Sequence, residues 1–434
     1  MKKQLAVIAL LTAASQLSAF FKLWFTARVF GIGSDLDGYN LALVLPTLIS
    51  GVFAGFLQTG LFPVRAKLKA LGSSDAVDSF ERAVLWGVTA IGAFLALLLY
   101  LFTPVIVPIL GGHAADPVVA STLFAFPYLA ILVALNMVGD CVAYLLAMRN
   151  RFSIAAAAPI ANGVVGGLLL ASWPQGGLSN LLLGTLLGLA VQLSICFWGL
   201  KSTGLRLTGQ LLPVRQIILF GREMLLLGVW ILPGVILSNL AVSLPPIWVA
   251  SFGEGANSAF GYAYRLHSSM VQLLVMASSP VILTHFADLV ANNEIVAVRS
   301  IIAKSAVASA VLGFLGVVLV GVIGAPLLTV IFGGRFDAEA ATRVAHHWWW
   351  MTTGLAFLIL GNVFAKLWQS QQRPRQISVA AAAGLVVLVA AFFCLKGLLL
   401  EFSVPAAMSA SAVAIVVLGI TRLRLHVTNI QAER

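Results

Sequence analysis

Charge is what this sequence lacks. Only 9% of its 434 residues are Asp, Glu, Lys or Arg, against 60% hydrophobic. Soluble domains carry roughly 25% charged residues. A buried core cannot absorb so large a deficit, so the medium around most of the chain must be lipid. Cysteine is scarce too. Cys141, Cys196 and Cys394 stand in separate apolar segments, without metal spacing or a disulfide framework. Period-two alternation is missing, which excludes a membrane β-barrel. Gly31-Ile32-Gly33 and Gly111-Gly112 lack the following Lys-Ser/Thr and the preceding strand of a phosphate loop, and read as helix ends. No outer loop is long enough to hold a Ser/His/Asp or paired-carboxylate active site, so the chain is not read as an enzyme. The net charge of +11 is scattered in small groups. That argues against nucleic acid and for a topology signal.

What is present is length in apolar runs. A bilayer-spanning helix needs about 20 apolar residues. The pattern predicts twelve helices, at 5–31, 38–64, 83–110, 118–147, 154–173, 179–200, 217–250, 257–286, 300–333, 340–370, 376–399 and 403–424. The first run continues to Phe30, longer than a signal-peptide core. The seventh holds Pro233 and Pro245-Pro246, which predicts a kink or a lead-in along the membrane surface. Cations gather at alternate connections: Arg65, Lys67, Lys69 and Arg82; Arg149 and Arg151; Lys201 to Arg222; Arg299 and Lys304; Arg373 and Arg375; and Arg422, Arg424 and Arg434 at the end. The opposite connections are poor in cations, with Arg335 and Arg343 as exceptions. The positive-inside rule then places both termini in the cytoplasm.

The chain also repeats itself at an offset of 222. Phe30-Gly31 maps to Phe252-Gly253, Pro104 to Pro326, Gly111-Gly112 to Gly333-Gly334, Gly139 to Gly361 and Arg151 to Arg373. The expected fold is therefore all-α and integral to the membrane, with about twelve transmembrane helices in two six-helix bundles, 1–205 and 206–434. Equal orientation of the halves makes the repeat parallel. Substrate sites of such transporters lie near the repeat interface.

Charges inside apolar helices are costly, about 2.5–3.5 kcal/mol at the bilayer centre, and point to function. At 1.5 Å per residue, Lys22 lies roughly 25 Å along the first helix and Arg265 roughly 12 Å into the eighth. Their repeat partners are Leu244 and Leu43, so packing symmetry does not require them. Two cations at similar outer-leaflet depth suit an anion, above all a phosphate. Snorkelling to the headgroups remains the other reading of both. Arg28 is read as interfacial or substrate-binding, and Asp37 as a cavity carboxylate or a helix cap. Asp140, whose repeat partner is Asn362, is a candidate for a coupling proton or sodium ion or a polar contact at the inner boundary. Lys366 reads as snorkelling inward. Trp348-Trp349-Trp350 reads as an aromatic belt. His346-His347 lacks the spacing of a metal site.

These residues resemble the MviN/MurJ family of lipid II flippases, in the multidrug/oligosaccharidyl-lipid/polysaccharide exporter superfamily. The likeness is carried by Ala27-Arg28-Val29-Phe30-Gly31-Ile32-Gly33 with Asp37 and Leu45-Pro46, by Phe126-Pro127-Tyr128 with Arg151-Phe152-Ser153-Ile154 and Ala158-Pro159, by Tyr262-Ala263-Tyr264-Arg265-Leu266 and by Phe332-Gly333-Gly334-Arg335-Phe336. It covers nearly the whole chain. It implies alternating access in a bacterial cytoplasmic membrane, with a polyprenyl-diphosphate-linked saccharide as substrate, either lipid II or another cell-envelope or exopolysaccharide precursor. Lys22, Arg28, Asp37 and Arg265 are then the substrate-binding residues, and Asp140, Gln16 and Asn40 coupling or gating positions. No cofactor is implied beyond a coupling H+ or Na+ or the membrane potential. The chain is expected to act as a monomer among membrane lipids, with glycan-synthesis enzymes as candidate neighbours. It departs from the family pattern at Gln16, Ser50-Gly51, Gly55 and Tyr264, and in ending after twelve helices rather than fourteen. An ion-coupled small-molecule exporter of the same superfamily is the alternative.

Overall fold

The structure is a computed structural model. It describes residues 2–70, 74–209, 213–228, 231–276, 279–292 and 294–432. Arg434 lies outside the described residues. Sixteen α-helices and three short 3-10 turns account for nearly all of the rest, with no strand among the described residues. Eight stretches are long and apolar enough to cross a bilayer, and a bent helix pair makes a ninth. One of the eight, Arg375–Leu423, holds two helices packed on each other. The protein is a multi-pass membrane protein.

The chain forms two compact units. Unit 1 comprises Met1–Leu232 with the short segments Gly253–Gly255 and Gly334–Phe336. Its helices are α1 (Lys2–Phe30), α2 (Ser34–Ala70), α3 (Ser74–Leu101), α4 (Thr103–Leu110), α5 (Asp116–Met148), α6 (Phe152–Ser172), α7 (Gly177–Lys201) and α8 (Val214–Gly228). α5 is central, packing on α2, α3 and α7. Phe126, Leu129, Val133, Met137, Cys141 and Leu145 on it are fully buried. α1 lies on α6, and α6 on α7. Small residues set these distances. A Cβ added at Gly163 would stand 2.4 Å from the Ser18 backbone, so only glycine admits α1 there.

Unit 2 comprises Pro233–Phe252, Ala256–Gly333 and Asp337–Arg434. Its helices are α9 (Leu232–Val249), α10 (Ala256–Met276), α11 (Ser279–Ala291), α12 (Ile295–Phe332), α13 (Ala338–Thr352), α14 (Leu355–Ser370), α15 (Pro374–Leu399) and α16 (Ser403–Ala432). Its core gathers Phe286, Val298, Val363, Phe364, Leu367 and Trp368.

The repeat holds at the level of packing. In unit 1 α5 packs on α2, α3 and α7; in unit 2 the pair α13 and α14 packs on α10 and α11, on α12 and on α16. The α6–α7 pair corresponds to α15–α16. Asn150 (φ 60°) and Gln372 (φ 54°) are 222 residues apart, and both take the left-handed conformation that non-glycine residues rarely adopt. Each is followed by an arginine whose N–H closes the preceding helix, Arg151 on Leu146 O at 2.8 Å and Arg373 on Trp368 O at 2.9 Å.

Three expected helices are broken among the described residues, each at a local cause or boundary. The third divides at Phe102, before Pro104 at the start of α4. Proline has no N–H for the Tyr100 carbonyl; the Thr103 hydroxyl supplies a bond to it instead, at 2.8 Å. The seventh divides into α8 and α9 before Pro233. α8 packs on α2, which is why the compact units divide at Leu232/Pro233 and not at the 205/206 expected from the repeat. Residues 277–278 of the eighth expected helix, between α10 and α11, lie outside the described residues. The tenth bends by 42° between α13 and α14.

Candidate functional site

The sequence marks Lys22, and the structure shows what holds it. Gly166 on α6 leaves a groove beside α1: a Cβ there would meet Lys22 Cδ at 2.9 Å. The lysine stem runs along this groove, and Nζ donates to the Thr185 hydroxyl on α7 at 2.9 Å. Thr185 Oγ1 also lies 2.8 Å from the Tyr39 hydroxyl and 2.8 Å from the Leu181 carbonyl. A hydroxyl has one hydrogen and two lone pairs. Thr185 gives that hydrogen to Leu181 O, so Tyr39 is the donor of the other bond. Thr185 and Tyr39 are neutral and buried. Thr185 holds the ammonium directly, and Tyr39 holds Thr185. Three helices, α1, α2 and α7, therefore meet at one cation.

Asp37 and Arg28 sit at the α1–α2 turn. Asp37 is 1% exposed, and its Oδ2 accepts from the Gly255 N–H at 2.6 Å. The Ser34 N–H, an orphan donor at the start of α2, finds Glu254 Oε1 at 3.1 Å. The Arg28 carbonyl accepts from the Arg335 N–H at 3.1 Å, and its guanidinium covers the Trp24 ring at 4.7 Å. The two segments Gly253–Gly255 and Gly334–Phe336 are thus seated on the mouth of α1 and α2. Gly31 makes the seat possible, with φ +60° and a would-be Cβ 2.5 Å from the Arg335 carbonyl oxygen. Gly31→Ala is expected to destabilise the protein by about 1–3 kcal/mol through strain and displacement. A thermal melt of the purified protein checks this; an unchanged Tm would mean that the seat contributes nothing.

The other marked residues are dispersed. Asn40 follows Tyr39 on α2, and Gln16 is half-buried on α1. Asp140 is half-buried on α5, one turn before Tyr144, whose hydroxyl points to Ala54 O at 3.4 Å. Arg265 is half-buried on α10 of unit 2. Lys366 is paired with Gln369 at 3.1 Å.

Two ion networks went unread. In unit 1 the fully buried Glu81 on α3 accepts from Arg65 Nε and from Arg149 Nε, each at 2.6 Å. Arg149 also reaches Asp78. Burial alone would lower the Arg149 guanidinium, but the charges and hydrogen bonds of Glu81 and Asp78 hold it above its ordinary value. In unit 2, Arg343 grips Glu401 with Nε at 2.9 and 3.1 Å and Nη2 at 2.5 Å. Of the two cations that broke the charge pattern of the connections, Arg343 is thus paired with a carboxylate, while Arg335 is seated through its backbone N–H on the Arg28 carbonyl.

A chain-wide match to the family model described as "Lipid II flippase MurJ" spans residues 26–432. The chain belongs to the MurJ family. It is 25% identical over 363 residues to the probable lipid II flippase MurJ of Rhizobium meliloti (strain 1021), covering 79% of this chain and 66% of that relative's length. Among solved structures, a lipid II flippase MurJ in an inward closed conformation aligns over 96% of this chain and 87% of its own, at a TM-score of 0.81 and 16% identity. An inward-facing multidrug resistance transporter of the MATE family aligns over 98% and 99%, at a TM-score of 0.79 and 13% identity. At such identities these structures show the shared fold. The family match adds the membership.

Proposed function

We propose that this MurJ family member moves a polyprenyl-diphosphate-linked saccharide across the bacterial cytoplasmic membrane by alternating access, with both termini on the cytoplasmic side. The observation that carries the reading is Lys22, a cation set into apolar helices with its ammonium on the Thr185 hydroxyl, which Tyr39 holds in turn. A diphosphate head is the anion this arrangement suits. Lys22 and Arg265 are the cations that bind it, with Arg28 and Asp37 at the mouth of α1 and α2. The lipid tail stays in the membrane while the head passes. Lipid II is one member of the substrate class. Transport is driven by H+, Na+ or the membrane potential, with Asp140, Gln16 and Asn40 as coupling or gating positions. The protein is a transporter rather than an enzyme, and works as a monomer near the enzymes that build or use the glycan.

The test is reconstitution of the purified chain into liposomes with undecaprenyl-diphosphate saccharides, scoring the head group that becomes accessible on the far leaflet. Wild-type protein is expected to expose it, and the Arg265→Ala variant to lose most of that rate. Movement of none of the tested lipids, or full activity of the Lys22→Ala/Arg265→Ala double variant, would overturn the reading. The small-molecule exporter alternative draws on the MATE likeness in fold. It predicts cation extrusion that survives both substitutions.

A further inference from the structure

Unit 2 contains a titratable cluster that the binding of a diphosphate does not use. His347 on α13 is 0% exposed, and neither ring nitrogen has a hydrogen-bond partner. Buried polar nitrogens are nearly always paired, so this ring stands in an incomplete site. Glu401, on the 3-10 turn Leu400–Phe402 between α15 and α16, brings Oε1 to 3.8 Å from His347 Nε2. That is too long for a hydrogen bond to the neutral ring. A charged ring would attract the carboxylate, and the bond then needs the oxygen to approach by about an ångström. The same carboxylate is held by Arg343, one helical turn before His347. Phe402, at 4.9 Å, and Phe260 of α10, at 6.1 Å, enclose the imidazole.

The surroundings restrict the chemistry. On α13 itself the charged or titratable neighbours are Arg343, His346 and Glu339, with the His346 ring turned edge-on to Phe402 at 5.6 Å. From α10 the facing ring is Phe260, with Tyr264 stacked behind it. α12 carries no charged residue after Lys304, and α16 none before Arg422. Glu401 is therefore the acidic group offered by the packed elements. Arg343 is a quarter exposed and Glu401 about an eighth, so the carboxylate, not the ring, is where the cluster meets the surface.

We propose that His347 is a proton-binding site, with Glu401 as a counter-ion shared between it and Arg343. A proton from water adds to Nε2 and makes the ring an imidazolium. Glu401 Oε1 then closes on Nε2 by about an ångström, to hydrogen-bond length, while Oε2 keeps Arg343. Loss of the proton returns both oxygens to Arg343. Because Glu401 sits on the α15–α16 turn and His347 on α13, the proton changes how tightly that turn is tied to α13. The site stands without the transport reading; its use in driving transport rests on it.

The experiment follows the histidine ring nitrogens by nitrogen-15 NMR in the full chain, held in lipid nanodiscs. The chain has six histidines, and His347→Gln identifies the signal by its loss. Should that variant not fold, His346→Gln removes the neighbouring signal and narrows the assignment. The wild-type His347 signal is expected to titrate, with the midpoint moved to lower pH by about one unit in Glu401→Gln. A ring that stays neutral throughout, or a midpoint indifferent to Glu401→Gln, overturns the site. In liposomes, an imposed pH gradient is expected to change wild-type lipid movement several-fold and His347→Gln not at all; an equal response in both overturns the coupling. A titrating His347 in a protein that moves no saccharide lipid refutes the transport reading alone. Lipid movement with a His347 that never titrates refutes this site alone.

Discussion

Lys22→Ala is expected to lower translocation about 10- to 150-fold while leaving the protein folded and inserted. The magnitude follows from a single hydrogen bond to a charged group, worth roughly 1.5–3 kcal/mol. The direction follows from the geometry. Removing the ammonium deletes the charge and leaves Thr185 and Tyr39, which still satisfy each other through the Tyr39–Thr185 bond at 2.8 Å. Thr185 keeps both its Leu181 and its Tyr39 bond, so the hydroxyl pair survives the substitution. Thr185→Val separates holding from charge. It keeps Lys22 but removes the oxygen that fixes Nζ at 2.9 Å. An intermediate loss is expected there, smaller than for Lys22→Ala. The assay is the appearance of the saccharide head on the far leaflet of proteoliposomes, normalised to protein recovered in the membrane. Equal rates for wild type and Lys22→Ala would remove Lys22 from the mechanism, and a drop in Lys22→Ala explained by poor insertion would show a structural role instead.

The fold was legible because its strongest signals are composition and period, and neither depends on tertiary contacts. Scarcity of charge gave the membrane, and glycines in one register gave the repeat. Asn150 and Gln372 are equivalent in the repeat without matching in sequence. They share a backbone conformation but not a side chain, so the equivalence is invisible in residue identity. Helix breaks were less legible for a physical reason. Pro104 lies just after a break, whereas its repeat partner Pro326 lies inside the continuous α12. A proline removes one hydrogen bond, and whether the helix ends there depends on what satisfies the freed carbonyl.

The candidate site divides in the same way. Lys22 stands out as a cation in an apolar run. Thr185 does not, since a threonine in such a helix ordinarily bonds its own i−4 carbonyl, as Thr185 also does with Leu181. Asp37 reads from sequence as the opening of α2, but its partner Gly255 is 218 residues away. Arg343 and Glu401 are each visible as charges near connections, yet 58 residues of chain conceal their pairing. Buried pairs join residues that the local pattern treats as exceptions.

The largest expected loss of stability follows from one such pair. Glu81→Ala is expected to destabilise unit 1 by about 3–5 kcal/mol, the range for removing one partner of a buried ion pair. Glu81 is fully buried and each oxygen serves a different guanidinium, Arg65 from α2 and Arg149 from the end of α5. Its removal leaves two half-desolvated cations facing a cavity, with only Arg149 still paired, to Asp78. Three helices, α2, α3 and α5, lose their shared anchor together. The measurement is the Tm of the purified protein in detergent, and the retained fraction after heating if unfolding is irreversible. The cause can be isolated. In the double variant Glu81→Leu/Arg65→Met the unpaired Arg65 charge is gone and the volume is filled. Replacement of buried ionic groups by well-packed apolar ones is often neutral, so a substantial part of the lost stability should return. If Glu81→Ala melts like wild type, the network is a surface feature in solution. If the double variant is worse than Glu81→Ala, the guanidinium of Arg65 stabilises α2 through contacts other than its carboxylate.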